Sequence, residues 1–139
     1  MKIIKDNNIK DIENKMWKDY WREKGLERNH KDVNLKIVDN GKIIGVVSSI
    51  IEGGVLHVDN IIITERYRGK KIGHKIMEYL DNVAIKNKCH KIRLETSKEF
   101  MQNAYHLYKK YSFKEETIIK NDWFNKEWII LSKFIDVKK

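Results

Sequence analysis

Two glycine-bearing dipeptides, Asn40-Gly41 and Gly53-Gly54, interrupt a stretch rich in β-branched residues and constrain the fold more than any other feature. Both suit a two-residue hairpin turn, whose central residues need positive φ. Val33, Leu35 and Ile37 alternate before the first turn, Ile43 to Ile51 resumes a β-rich run, and Val55 to Ile63 follows the second. A three-stranded antiparallel meander is the expectation. In its third strand Val55, His57, Asp59, Ile61 and Ile63 are predicted to share one face, with Leu56, Val58, Asn60 and Ile62 on the other.

The meander leads directly into a cationic turn and a helix. Arg66, Arg68, Lys70 and Lys71 crowd the turn, and Gly69 and Gly73 carry no Cβ to hold a ligand away from the main chain. Free N-H groups at a helix start, aided by the helix dipole, attract phosphate. The same composition also suits a solvated basic connection between packed elements. Ile72, Ile76, Met77, Leu80, Val83 and Ala84 mark one stripe of a helix from about residue 72 to 88, and Lys91 to Thr96 reads as a strand. A strand, helix and strand in this order favour a crossover with parallel pairing.

Elsewhere the pattern is continuous. Met1 to Lys5 is expected to form a short first strand. Ile9, Ile12, Met16, Trp17 and Tyr20 recur at helical spacing, with Asn8 placed to cap the start and Gly25 to stop the helix. Ala104, Leu107, Tyr108 and Tyr111 mark a shorter helix. Phe113 to Lys120 and Glu127 to Phe134 then read as an antiparallel pair. The predicted class is α+β: one mixed, mostly antiparallel sheet with helices on its faces, in a single domain spanning residues 1–139.

Composition narrows the function. A lone cysteine, Cys89, excludes an internal disulfide, and five histidines without ligand spacing give no expectation of a metal. Cys89 itself reads as a buried, inert thiol. With no apolar run of membrane-spanning length and no apolar stretch after Met1-Lys2, a cytoplasmic protein without a membrane partner is expected. The net charge of +9 attracts polyanions, yet the lysines are dispersed and no aromatic stacking motif accompanies them. A phosphate-bearing small molecule explains the local cluster better than nucleic acid does.

Two segments resemble the GNAT superfamily of acyl-coenzyme A dependent N-acyltransferases. Arg68-Gly69-Lys70-Lys71-Ile72-Gly73 is similar to the family's first signature, with Lys71 where glycine is usual. Asn103 to Phe113 resembles its later helix, with Ser112 in place of the glycine before the phenylalanine. The resemblance covers roughly residues 35 to 134. Lys71 is expected at negative φ, and Ser112 at a left-handed helix end at a cost of about 1 kcal/mol.

The resemblance implies acetyl-CoA as donor and a primary amine, on a small molecule or a protein, as acceptor. It implies that Arg68 and the main chain of Gly69, Lys70, Lys71, Ile72, Gly73 and His74 hold the pyrophosphate. The exposed backbone of Ile61, Ile62 and Ile63 would pair with pantetheine beside a sheet splayed between residues 55–63 and 91–96, and Asn103 would bind the same arm or cap its helix. Tyr108 matches the tyrosine that protonates the departing thiolate, or else fills its helix stripe. An ammonium acceptor must lose a proton before attack. Asp59 is the first candidate base and His57 the second, against the alternatives of a satisfied strand-edge carboxylate and a packing histidine. Glu95 is a weaker third. Trp17, Trp21, Trp123, Phe124 and Trp128 would line an acceptor pocket, the core or a homodimer contact formed by the final strands. A catalytically silent acyl-CoA sensor is the alternative function, and a basic nucleic-acid-binding domain a third.

Overall fold

The computed structural model describes residues 1–136. Helix α1 (Lys10–Glu23) precedes the meander β1 (Lys31–Asp39), β2 (Lys42–Glu52) and β3 (Val55–Ile63). A short 3-10 turn (Glu65–Tyr67) leads into α2 (Ile72–Lys86), followed by β4 (Lys91–Thr96), α3 (Gln102–Lys110), β5 (Lys114–Ile119) and β6 (Trp128–Phe134). The strands form one sheet in the order β1-β2-β3-β4-β6-β5, with β3 and β4 the only parallel pair among the described residues. This is the mixed α+β architecture expected from the sequence.

Both hairpin turns take the required backbone: φ is 48° and 76° at Asn40 and Gly41, and 57° and 78° at Gly53 and Gly54. The core lies on one face of the sheet. Ile76, Met77, Leu80 and Ala84 of α2, with Tyr108 of α3, pack there against Val47, Leu56, Ile92, Leu94 and Leu131. Cys89 joins this cluster fully buried, and burial raises its thiol pKa. No helix among the described residues is long and apolar enough to cross a membrane.

Two local expectations fail. Met1 to Lys5 forms no strand, and Ile3 and Ile4 are exposed, because an isolated extended segment has no ladder to complete its hydrogen bonds. Asn8 does not cap α1: the helix starts after Ile9 without a side-chain cap, while the Asn8 N-H donates to Asp6 Oδ1 at 2.9 Å. The stripe of α1 points away from the core, and the helix buries no residue; Ile12 is 59% exposed and Met16 67%. Its attachment is polar. Arg28 donates to the Glu52 carboxylate, and also to Asn14 O and Oδ1 at 3.2 and 3.1 Å. Lys10 pairs with Asp32 at 2.7 Å. Gly25 does end α1 as expected, with φ 74° and a Leu26 N-H to Trp21 O bond of 2.9 Å.

A β-bulge corrects the predicted faces of β3. Ser48 pairs with Asn60 and Ser49 with Val58, so Asp59 is skipped. The inserted residue reverses the alternation. Leu56, Val58, Ile61 and Ile63 therefore oppose Ile51, Ser49, Val47 and Gly45 on the core face, while His57, Asn60 and Ile62 lie on the other.

Candidate active site

Beyond the bulge the sheet divides. Val55 to Val58 pair in register with Lys91 to Leu94, and there the parallel ladder stops although β3 continues to Ile63 and β4 to Thr96. Asn60 to Ile63 remain bonded to β2 and have no strand on their other side among the described residues. A cleft of about 380 Å³ opens there, walled by β3, the cationic turn, the start of α2 and the first turns of α3.

The turn delivers free donors to this cleft. Tyr67 N-H bonds Thr64 O at 2.9 Å and Arg68 N-H bonds Glu65 O at 3.1 Å, after which the next helical bond is Lys75 N-H to Lys71 O at 3.4 Å. Among the described residues, the N-H groups of residues 69 to 74 donate to no backbone carbonyl. They cluster at the positive end of a 15-residue helix. Gly69 needs its freedom, with φ 78°. Arg68 is held toward the strand by a 2.9 Å bond from Nε to Ile63 O.

Ile61, Ile63, Arg68, Gly69, Lys71, Ile72, Gly73, His74, Asn103 and Tyr108 all line the cleft. Ile62 turns its exposed side chain to the opposite face, as the bulge requires, although its main chain stays on the open edge of β3. Lys70 lies on the far side of the turn, its Nζ 5.2 Å from the Tyr67 ring centroid. Asn103 sits inside the first turn of α3, whose start at Met101 lacks a side-chain cap, so the capping role does not hold. His74 Nδ1 lies 3.1 Å from Tyr111 Oη, tying α2 to α3.

Tyr108 is 7% exposed, and burial pushes its hydroxyl up to about 12. The candidate bases do not line this cleft. His57 is half-buried on the opposite face, paired with Arg93 across the ladder, and its pKa is lowered first by burial and then by Arg93, against Asp59 and Glu52. Asp59 is exposed at the bulge, immediately past the last β3–β4 pair. Glu95 follows Leu94 at the equivalent point of β4; burial raises its pKa, followed by the hydrogen bond and charge of Asp122, while Arg93 opposes. The two strands thus present one carboxylate each where they part.

The sequence matches the model of the Acetyltransferase (GNAT) family over residues 4–113. The chain belongs to the GNAT family. Solved structures agree with this GNAT fold: an Agrobacterium tumefaciens protein superposes with TM-score 0.77 at 18% identity, covering 97% of each chain. The ribosomal-protein-S18-alanine N-acetyltransferase of Escherichia coli gives 0.71 at 21% identity, covering 87% of this chain and 78% of that one. An Elizabethkingia anophelis GNAT family acetyltransferase with acetyl-CoA bound gives 0.68 at 19% identity, covering 75% and 76%. No curated protein matches the sequence.

Both departures from the GNAT signatures have a structural reading. Lys71 is at φ 60°, so the expected negative φ is wrong: lysine here occupies the left-handed region, at a cost of about 1 kcal/mol. The turn geometry that frees the amides is kept. Ser112 does take the left-handed position, φ 71°, and its N-H to Lys109 O and that of Phe113 to Tyr108 O, both 3.1 Å, close the end of α3.

Gly73 has a second contact that sequence reasoning missed: a Cβ there would stand 2.7 Å from Leu107 Cδ2, so a side chain at this position requires the end of Leu107 to move. Tyr67, Ile76, Met77, Ala104 and Leu107 also line the cleft unpredicted. For Ile76, Met77, Ala104 and Leu107 the helical stripes were the available signal, but a stripe does not distinguish core from cleft wall. Tyr67 gave no signal.

Proposed function

We propose that this GNAT chain transfers an acetyl group from acetyl-CoA directly to a primary amine bound with it in a ternary complex. The observation carrying this reading is the row of free N-H groups at residues 69–74, beside a cleft that buried Tyr108 also lines. These donors suit a diphosphate, and the open edge of β3 suits an extended amide-bearing arm. Acetyl-CoA held there supplies a thioester-activated acetyl group. Arg68 and the amides of residues 69–74 bind the phosphates, and Asn103 and the main chain of Ile61 to Ile63 orient the arm.

Tyr108 holds the proton destined for the thiolate. With its hydroxyl pushed up to about 12, it remains a donor throughout the neutral range. Asp59, at the point where the strands part, takes the proton from the incoming ammonium, with His57 as second candidate. His57 is supported by its lowered pKa, which keeps the imidazole neutral and able to accept.

Titration calorimetry with acetyl-CoA, followed by thiol release across a panel of polyamines, amino sugars and peptide amines, tests the proposal. Binding together with amine-dependent thiol release is expected. Binding without release from any amine would identify a sensor, and no binding would remove the cofactor assignment.

A further inference from the structure

Strand β1 ends the sheet, and among the described residues nothing pairs with its outer edge. Long edge strands are ordinarily guarded by proline, by brevity, by a bulge or by charged side chains, and here the guard is charge alone: Lys31, Asp32, Lys36 and Asp39, two of each sign. This one is nine residues long, and the chain contains no proline. Its register with β2 breaks between Ile37 and Val38, but the unpaired residue is Ile44 of β2, so β1 itself runs without insertion.

The side chains of β1 form a self-complementary series. Lys31, Val33, Leu35, Ile37 and Asp39 alternate onto the core face, and Val33, Leu35 and Ile37 are only partly covered. An antiparallel copy overlapping along the whole strand must centre on Leu35. Leu35 then meets Leu35, Val33 meets Ile37, and Lys31 meets Asp39 at both ends. On the other face Asn34 meets Lys36 and Asp32 meets Val38, so the complementarity lies on the core face. Lys31 has only a 3.5 Å bond to Asn87 Oδ1 to give up.

We propose that β1 pairs with β1 of a second copy of this chain about a two-fold axis through Leu35, joining the two sheets into one. An axis perpendicular to the sheet places identical edges antiparallel and keeps both helix layers on one side. A groove of about 620 Å³ lies between β1 and α2, with Leu35, Ile37 and Ile76 in its lining, and the incoming strand closes its open side. The chain's own Met1–Lys5 segment suits this edge less well, since it contains no carboxylate to meet Lys31, whereas a second β1 offers Asp39. This pairing differs from one through the final strands and does not depend on the acetyl-transfer reading.

Sedimentation equilibrium over a wide range of protein concentration tests it. The wild-type chain should reach a dimer mass. Lys31→Asp and Asp39→Lys should each weaken association at least about tenfold by opposing like charges, and the double variant should restore it. Leu35→Lys should give a monomer with unchanged circular dichroism. Monomer mass at every concentration would overturn the proposal, as would charge reversals without effect. Dimers that appear only after removal of residues 1–8 would assign the edge to the chain's own amino-terminal segment and overturn it equally.

Discussion

At the scale of single residues, Tyr108 and Gly73 make opposite demands on one interface. In the proposed transfer Tyr108 must stay protonated, and burial secures this by raising its pKa to about 12. Tyr108→Phe should lower kcat roughly 10-fold to 1000-fold with acetyl-CoA affinity unchanged, as steady-state rates and calorimetry would show. Because the phenol ionises only far above neutrality, any loss of wild-type rate between about pH 8 and 10 must come from another group. At Gly73 an added methyl would press on Leu107 Cδ2 at 2.7 Å, a side-chain end that can turn aside. Gly73→Ala should therefore displace the Leu107 side chain with at most a small loss of kcat, and adding Leu107→Ala should recover that loss. A Gly73→Ala variant with intact kcat and weakened binding would instead give the glycine to the ligand. Neither the Gly73 contact nor the left-handed φ of Lys71 was legible in the sequence, since both depend on what lies opposite a position rather than on the residue there.

Among the elements, the meander and its turns were readable because Asn40-Gly41 and Gly53-Gly54 restrict the backbone locally. The bulge was not. Its signal lies in the pairing of Ser48 and Ser49 with β3, and strict alternation assigned Ile61 and Ile63 to the wrong face. The cationic turn and the later helix could be located from residue order and family resemblance, whereas the separation of His57 from the cleft required the register. Helix α1 shows a similar limit: a hydrophobic stripe has the same spacing whether it meets a core or solvent. The element is attached chiefly through Arg28, whose side chain is 8% exposed. Arg28→Ala should cost roughly 1–3 kcal/mol of stability. Hydrogen exchange should quicken in residues 10–23 while β2 and β3 stay protected; uniform exchange across all three would show that the attachment lies elsewhere.

For the whole molecule, ligand binding and stability are linked because the cleft exists only between folded layers. Acetyl-CoA at a hundredfold excess over its Kd should add about 2.7 kcal/mol and raise Tm by roughly 8–13 °C, measurable by scanning calorimetry. An unshifted Tm at that excess would exclude binding to the native fold. The strand order carries a further consequence for synthesis. Strand β6 lies between β4 and β5 and brings buried Ile129 and Leu131 to the core beside Leu94. Every residue that lines the cleft has been translated by Tyr108, yet one half of the sheet still awaits its central member. A nascent chain halted near Lys120 would thus hold every residue that lines the cleft and still lack the strand that joins β5 to the sheet, so the fold closes only when the last strand leaves the ribosome.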